Sequence, residues 1–366
     1  MRDIQNEMQD LLDKTVATGK DLGMQLAVYH QGRLIVNAWA GIANAETRKP
    51  VTQDTVFPAF STAKGIAATM LHILAERGAL NYEQRISELW PAFARHGKRD
   101  VLIKHALSHT AGIPQMPENI TSHDLNDWDG MCSRIAELKP LWAPGSHVEY
   151  HALTYGWIVG RIIELASKRS FAEFLKQEIC DPLGTENLYI GIPGDAMESI
   201  SIAALYEPVF DAAALNTAGV ISIPACCMPM CDWLNRKQTL RACIPAANGA
   251  MSALSLARHY ASLLPGGVDG VQLLSETTVN KATQVLSVET KPGATNVFGL
   301  GYALGVKGCV FGDRPTMFGH GGYGGSVGFA DLEHDFAMAL TKSYFHKSSM
   351  EKKIVRTVQR LLDIPH

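Results

Sequence analysis

The first hydrophobic positions of the chain recur at helical spacing. A stripe that repeats every three or four residues gives a helix one apolar face and one polar face. The pattern predicts an amphipathic helix over residues 3–17 that packs on a sheet. Its apolar positions are Ile4, Met8, Leu11, Leu12 and Val16.

The pattern then changes to β type, and it returns to β type near the C-terminus. Residues 24–41 form two β-rich runs around Gly32, which predicts a β-hairpin. Both ends of the chain are therefore expected to contribute to one antiparallel sheet. The later β-rich runs are residues 296–306, 315–320, 326–332 and 335–345, with a hairpin turn at 332–335 and a last helix at 350–362.

The middle of the chain is mostly helical by periodicity. Ser170 and Glu173 have the spacing of a capping box, which starts one of these helices. The helices are expected at residues 62–77, 153–168, 171–179 and 252–263.

These elements predict an α/β fold of the α+β type. Residues 1–60 and 287–366 would form an antiparallel sheet domain flanked by the N- and C-terminal helices, and residues 61–286 a mostly helical inserted domain. An active site is expected where the two domains meet.

Composition narrows the class of partner. Of the 366 residues 46% are hydrophobic and 19% charged, and 33 Lys+Arg against 36 Asp+Glu give a net charge of -3. Such a chain is globular, and it has no basic surface of the size that binds nucleic acid or an anionic membrane. The expected partner is a small molecule; the oligomeric state is left open.

The expected compartment is the cytoplasm. Charged residues interrupt the window in which a secretory signal would be apolar, and the most apolar stretch, residues 66–75, is far shorter than the roughly 20 residues of a membrane span. Seven cysteines are an odd number, which favours free thiols over a disulfide framework. The cysteines at 226–243 lack the paired spacing of a zinc site, so no metal is expected.

The strongest chemical pattern is Ser61 followed by Lys64, at the start of a predicted helix. A spacing of three residues on the first helical turn puts the hydroxyl and the amine on one face, where the amine can activate the hydroxyl. The helix N-terminus also opposes protonation of a partly buried lysine. The same spacing occurs at Ser349 and Lys352, where Ser349 is expected to be a helix N-cap.

Two further segments carry candidate chemistry. Tyr150 comes just before the apolar helix expected from residue 153, and a phenol near a lysine can transfer protons. His320, Gly321, Gly322 and Tyr323 lie in a β-rich region so full of glycine that something must approach its backbone closely.

The order of these motifs resembles the serine β-lactamase and penicillin-binding-protein superfamily, whose signature is S-x-x-K. The nearest members are class C β-lactamase-like esterases of the family VIII type and the related acyltransferases. Residues 101–114, 181–184, 248–252 and 299–302 also look like family landmarks in the right order.

The resemblance implies a β-lactamase/transpeptidase-like fold and roles for individual residues. Ser61 would be the nucleophile that becomes acylated, and Lys64 and Tyr150 the pair that activates it and later a water or alcohol. The backbone N–H groups of Ser61 and Tyr323 would form the oxyanion hole. The resemblance implies no metal or organic cofactor.

Two departures from the family pattern favour ester substrates. The usual Tyr-x-Asn has Ala152 at its third position, and the usual Lys-Thr-Gly is His320-Gly321-Gly322, so two anchors for lactams and peptides that carry a carboxylate are absent. His320 either hydrogen-bonds within the site or contacts substrate. Trp142 and the apolar segment 200–245, with Trp233, are expected to line an acyl pocket.

The leading reading is therefore a serine carboxylesterase that acts on small or medium hydrophobic acyl esters or thioesters. An acyltransferase with the same residues, which uses an alcohol or amine acceptor, is not separated from it by sequence. Lesser alternatives are a D-aminopeptidase or carboxypeptidase, a weak β-lactamase and an acyl-binding sensor without turnover. Ser326 also fits G-x-S-x-G, but it runs into a strand pattern where the nucleophile elbow needs a helix.

Overall fold

The fold is known from a computed structural model that describes residues 4–207, 220–291, 294–345 and 350–365. The helices are α1 Ile4–Ala17, α2 Ala63–Glu76, α3 Ile86–Leu89, α4 Ile103–Leu107, α5 Ser122–Asn126, α6 Trp128–Ala136, α7 Thr154–Ser167, α8 Phe171–Leu175, α9 Asp181–Leu183, α10 Gly194–Ser199, α11 Met230–Asn235, α12 Lys237–Arg241, α13 Ala253–Ala261, α14 Glu276–Ala282 and α15 Met350–Leu361. The strands are β1 Gly23–His30, β2 Arg33–Gly41, β3 Phe57–Phe60, β4 Leu188–Ile190, β5 Gly249–Met251, β6 Ser287–Lys291, β7 Ala294–Phe298, β8 Ala303–Leu304, β9 Met317–Gly321, β10 Val327–Asp331 and β11 Phe336–Lys342.

Both ends of the chain build one antiparallel sheet, as the sequence predicts. Its eight strands run in the order β2-β1-β11-β10-β9-β8-β7-β6, so an N-terminal hairpin pairs with the C-terminal strand. Leu26 lies opposite Leu340 in that pairing. Helix α1 closes the outer edge of β2, because Gln9 Nε2 donates to the Trp39 carbonyl at 2.8 Å.

The sheet is covered on both faces, which explains why β1 is buried almost from end to end. Alternate side chains of β1 enter different cores, since successive residues of a strand point to opposite faces. Leu26 packs in the core with Leu12 of α1 and Ile354 of α15. Ala27 packs in the other core with Leu256 of α13.

Helix α13 packs directly on the sheet although it lies within residues 61–286. A Cβ on Gly328 of β10 would lie 2.6 Å from the Leu256 side chain, so the glycine allows this close contact. Because an element of the predicted helical domain packs on the sheet, the boundaries between the two domains at residues 60 and 287 stay a prediction.

A second sheet has three strands, two of which, β4 and β5, lie in the part of the chain expected to be mostly helical. Its order is β3-β5-β4, and β5 pairs with both neighbours. The sequence analysis misses β4 and β5, because strands of three residues are too short to show alternation. Pairing with β5 holds the C-terminal end of β3 in place, and the chain turns from there into α2.

The long helices lie where the periodicity predicts them, and Ser170 and Glu173 form the expected capping box. The helix expected at 171–179 is wrong in part, because α8 ends at Leu175 and continues as the π-helical turn Lys176–Cys180. Helix α2 is buried from Ala63 to Leu74 and so runs through the core. Within the described residues, no helix is both long and apolar enough to cross a bilayer.

Candidate active site

Ser61 sits in a sharp turn between β3 and α2. The preceding residue, Phe60, has φ +50°, a left-handed conformation that is unfavourable for a bulky residue. Packing of the side chain offsets the cost of this backbone conformation, since the Phe60 ring is buried and lies 4.7 Å from the ring of Phe345. The turn leaves Ser61 partly accessible at the start of α2, one helical turn from Lys64.

Lys64 is fully buried and lies against Ser61. Its Nζ is 3.0 Å from Ser61 Oγ and 2.8 Å from the carbonyl oxygens of both Ala152 and Ala246. Burial lowers the pKa of the amine well below its usual 10.5. A neutral amine has two N–H groups and one lone pair; if the two carbonyls take the N–H groups, the lone pair is left for the hydroxyl of Ser61.

Tyr150 completes this cluster. Lys64 Nζ lies 4.9 Å from the centre of the Tyr150 ring. Burial raises the pKa of the phenol, a hydrogen bond with Ser61 lowers it, and the charge of Glu289 raises it further. The balance is upward, so the phenol is protonated at neutral pH and can serve as a proton donor.

The glycine-rich segment closely approaches the Ser61 turn. A Cβ on Gly322 would lie 2.2 Å from the Ala59 carbonyl oxygen, which is why only glycine fits there. The backbones of residues 322–323 and 59–60 are therefore neighbours, and the Tyr323 ring contacts the Phe60 ring with 5.8 Å between centres. The Tyr323 O–H donates to Glu207 Oε1 at 2.8 Å.

His320 is buried, with 6% of its surface exposed. Its Nδ1 lies 2.7 Å from the Gly321 carbonyl oxygen; because a carbonyl only accepts, Nδ1 carries the proton. Burial, with a smaller contribution from Lys64 whenever its amine is protonated, lowers the pKa of His320 to about 3, although the bond to Gly321 opposes this. The imidazole is therefore neutral at pH 7, and this position carries no cation.

These groups surround a cavity of about 540 Å³. Ser61, Tyr150 and Ala152 line it, and Ala152 also contributes the carbonyl that accepts from Lys64. Of the residues predicted to contact substrate, His320, Gly321 and Gly322 line it as well, together with Tyr323. Apolar walls come from three separate stretches of chain, which include Leu153, Ile223, Met230, Val310 and Phe311.

The two tryptophans predicted to bind substrate do not line this cavity. Trp233 is fully buried in the core. The ring of Trp142 packs edge-on against His147 at 4.8 Å. Part of the segment 200–245 that is expected to line the pocket, residues 208–219, lies outside the described residues, as does Ser349, the expected N-cap.

The structure adds residues that the sequence reasoning did not single out. Glu289 Oε1 accepts the Tyr150 N–H at 2.9 Å, and His109 Nδ1 accepts the His151 N–H at 3.1 Å. His109 lies within the segment 101–114, which was noted only as a family landmark. Glu289 occupies a buried, inward-facing position of β6. An acidic residue at an inward position of a strand is the sequence feature that could have pointed to it.

Other candidate positions carry no further chemistry. Ser326 is buried and leads into β10, so it lacks the helix of a nucleophile elbow. All seven cysteines are free thiols. Among the described residues, the side chains of one group, Asp331, Glu333 and His334, lie close enough together to bind a metal ion. The Asp331 carboxylate is already engaged, because it forms an ion pair with Arg314 and its Oδ1 accepts a hydrogen bond from Thr316 Oγ1.

Known proteins resemble this chain along most of its length. A family model described as Beta-lactamase matches residues 8–360. The Esterase/beta-lactamase LipL of Mycobacterium tuberculosis (strain ATCC 25618 / H37Rv) is 31% identical over 338 residues, which are 87% of this chain and 76% of LipL.

Two solved structures extend the likeness to the fold. The crystal structure of a family VIII carboxylesterase has a TM-score of 0.89 and 26% identity, and the match covers 98% of both chains. EstA from Arthrobacter nitroguajacolicus Rue61a has a TM-score of 0.85 and 26% identity, over 98% of this chain and 96% of EstA. With its β-lactamase/transpeptidase-like fold, the chain belongs to the beta-lactamase family and is an enzyme of the serine β-lactamase-like superfamily.

Proposed function

We propose that the protein is a carboxylesterase that works through an acyl-Ser61 intermediate. The observation that carries the proposal is the fully buried Lys64 amine, 3.0 Å from Ser61 Oγ and shared with two backbone carbonyls. A neutral amine in this position accepts the hydroxyl proton while Oγ attacks the ester carbonyl carbon. The negative oxygen of the tetrahedral intermediate would be held by the N–H groups of Ser61 and Tyr323.

Tyr150 would supply the proton for the leaving group. When the intermediate collapses, the C–O bond to the alcohol breaks and the phenol donates its proton to the departing oxygen. The Lys64 ammonium then returns a proton to the phenolate, which restores both groups. Water attacks the acyl-enzyme with the same proton transfers in the second half-reaction, releases the acid and regenerates Ser61.

The preferred substrates would be neutral acyl esters or thioesters of small or medium size. Neutral His320 provides no cation for a substrate carboxylate, and Ala152 offers no side-chain amide. Apolar side chains such as Ile223 and Met230 line the cavity of about 540 Å³. The similarity to a family VIII carboxylesterase, and to LipL, which is named an esterase as well as a β-lactamase, also supports ester substrates.

Acyl transfer is the second candidate, because it differs only in the acceptor that attacks the acyl-enzyme. The cavity of about 540 Å³, with apolar side chains from separate stretches of chain, is of a size that would admit an acyl group and a small alcohol or amine. The ratio of free acid to transfer product, measured with an activated ester and candidate acceptors, separates the two activities. An acyl-enzyme that persists for hours without either product would favour an acyl-binding sensor, and rapid nitrocefin hydrolysis a β-lactamase.

Active-site labelling tests the proposal. A fluorophosphonate should modify Ser61, and Ser61→Ala should abolish both the labelling and the hydrolysis of p-nitrophenyl butyrate. Ser326→Ala is the matched control, since it removes the serine of the other motif and should retain both. Wild-type hydrolysis in Ser61→Ala, or loss of labelling confined to Ser326→Ala, would overturn the assignment.

A further inference from the structure

Tyr150 lies in a stretch of chain that has no regular secondary structure, yet its backbone is held at three consecutive amides. The Glu149 N–H donates to the His109 carbonyl at 3.2 Å. The Tyr150 N–H donates to Glu289 Oε1 at 2.9 Å, and the His151 N–H donates to His109 Nδ1 at 3.1 Å. One backbone carbonyl and two side chains, all from distant parts of the sequence, thus accept the hydrogen bonds that a strand or helix would otherwise satisfy.

Glu289 is itself held on both oxygens. It lies on β6 with 4% of its surface exposed, and Asn296, its partner on β7, donates Nδ2 to Oε2 at 2.7 Å. Lys291 Nζ lies 3.0 Å from Oε1, so the buried charge is compensated. Because the carboxylate is held in place, its hydrogen bond with the Tyr150 N–H can fix the position of the Tyr150 backbone.

The Tyr150 ring is confined by the same region. The ring of Phe298, on β7, is nearly parallel to it at 15° with 6.0 Å between centres. The ring of His109 lies 4.6 Å away from the Tyr150 ring. Backbone and ring are thus held together, which fixes where the phenolic oxygen can point.

We propose that Glu289 is a positioning residue for Tyr150, whose backbone N–H it anchors so that the phenol reaches the leaving group of the ester. The inference rests on the proposed function, in which Tyr150 donates that proton. Loss of the anchor should impair proton donation more than substrate binding. A displacement of about 1 Å at a catalytic group can lower the rate by about 10²-fold.

The leaving group provides a readout that a general loss of structure would not change. An alkyl ester needs a proton on its departing alkoxide, whereas p-nitrophenolate leaves without one. Glu289→Ala should lower kcat/KM, which reports acylation and not the deacylation step that both esters share, by about 10²-fold for ethyl butyrate and by less than about tenfold for p-nitrophenyl butyrate. Glu289→Gln should restore most of the activity, since its amide oxygen can still accept the Tyr150 N–H while Asn296 turns its own amide over.

The matched control is Glu149→Gln, which removes a second carboxylate beside Lys291, 3.1 Å from its Nζ, but leaves the bond to the Tyr150 N–H in place. It should show no dependence on the leaving group. Equal losses on both esters in Glu289→Ala, or a Glu289→Gln variant as impaired as Glu289→Ala, would overturn the inference.

Tyr150→Phe keeps this test distinct from the proposed function. If Tyr150→Phe shows the leaving-group dependence and Glu289→Ala does not, the anchor is wrong and the esterase mechanism stands. If Tyr150→Phe shows no such dependence, Tyr150 is not the proton donor, and both the anchor and this step of the mechanism fail.

Discussion

Replacing Lys64 by Met tests the central feature of the site, a buried amine that acts as a base. Met has a similar length but cannot accept the Ser61 proton. General-base catalysis contributes roughly 10²- to 10⁴-fold, so kcat/KM for p-nitrophenyl butyrate should fall by that factor, which is about 3 to 5 kcal/mol of transition-state stabilisation. The rate of fluorophosphonate labelling should fall in parallel.

The same variant should change how stability depends on pH. The pKa of Lys64 in the folded protein is well below the usual 10.5, so between the two pKa values the unfolded chain binds more protons than the folded one. Stability due to Lys64 therefore rises with pH across that window, by about 1.4 kcal/mol for each unit of pKa depression. Lys64→Met lacks this rise, and urea unfolding of both proteins at a series of pH values measures the difference.

Lys98 supplies a matched control. It is also fully buried, its Nζ donates to the carbonyls of Arg95 and Ala136 at 2.9 Å, and burial lowers its pKa to about 8. Lys98→Met should lose the rise in stability between about pH 8 and 10.5 yet keep wild-type kcat/KM. Our reasoning is refuted if Lys64→Met retains wild-type activity, or if the two variants lose activity equally.

Two other substitutions test the walls of the site. Gly322→Ala would place a Cβ 2.2 Å from the Ala59 carbonyl oxygen and should separate the two segments that carry the N–H groups of Ser61 and Tyr323, with a loss of kcat of about 10²- to 10³-fold. Slowed fluorophosphonate labelling with an unchanged circular dichroism spectrum would support this, and a wild-type kcat would contradict it. His320→Lys places an amine at this position, and a substrate carboxylate beside it would favour its protonated form, so the ratio of kcat/KM for a p-nitrophenyl hemisuccinate to that for the neutral butyrate should rise several-fold. An unchanged ratio would mean that residue 320 does not select against carboxylates.

Local periodicity predicted those elements whose own side chains decide their structure. Helix α1, the hairpin of β1 and β2, and helix α7 each bury one face or lie wholly in the core, and this burial is visible in the order of apolar residues. Strands β4 and β5 have three residues each, and their partners lie far away in the sequence. Their pairing depends on tertiary contacts, so no local pattern reports it.

The sequence by itself determined the order of the motifs, the shared sheet and the residues brought together around Ser61. Only the tertiary structure decided the state of those residues. Burial of Lys64 between two carbonyls makes it a candidate base, and burial of His320 keeps it neutral, because removing a charge from water is costly and a protein interior does not restore that hydration. The tertiary structure also supplied Glu289, which lies 139 residues from Tyr150 in sequence but within hydrogen-bond distance of its backbone.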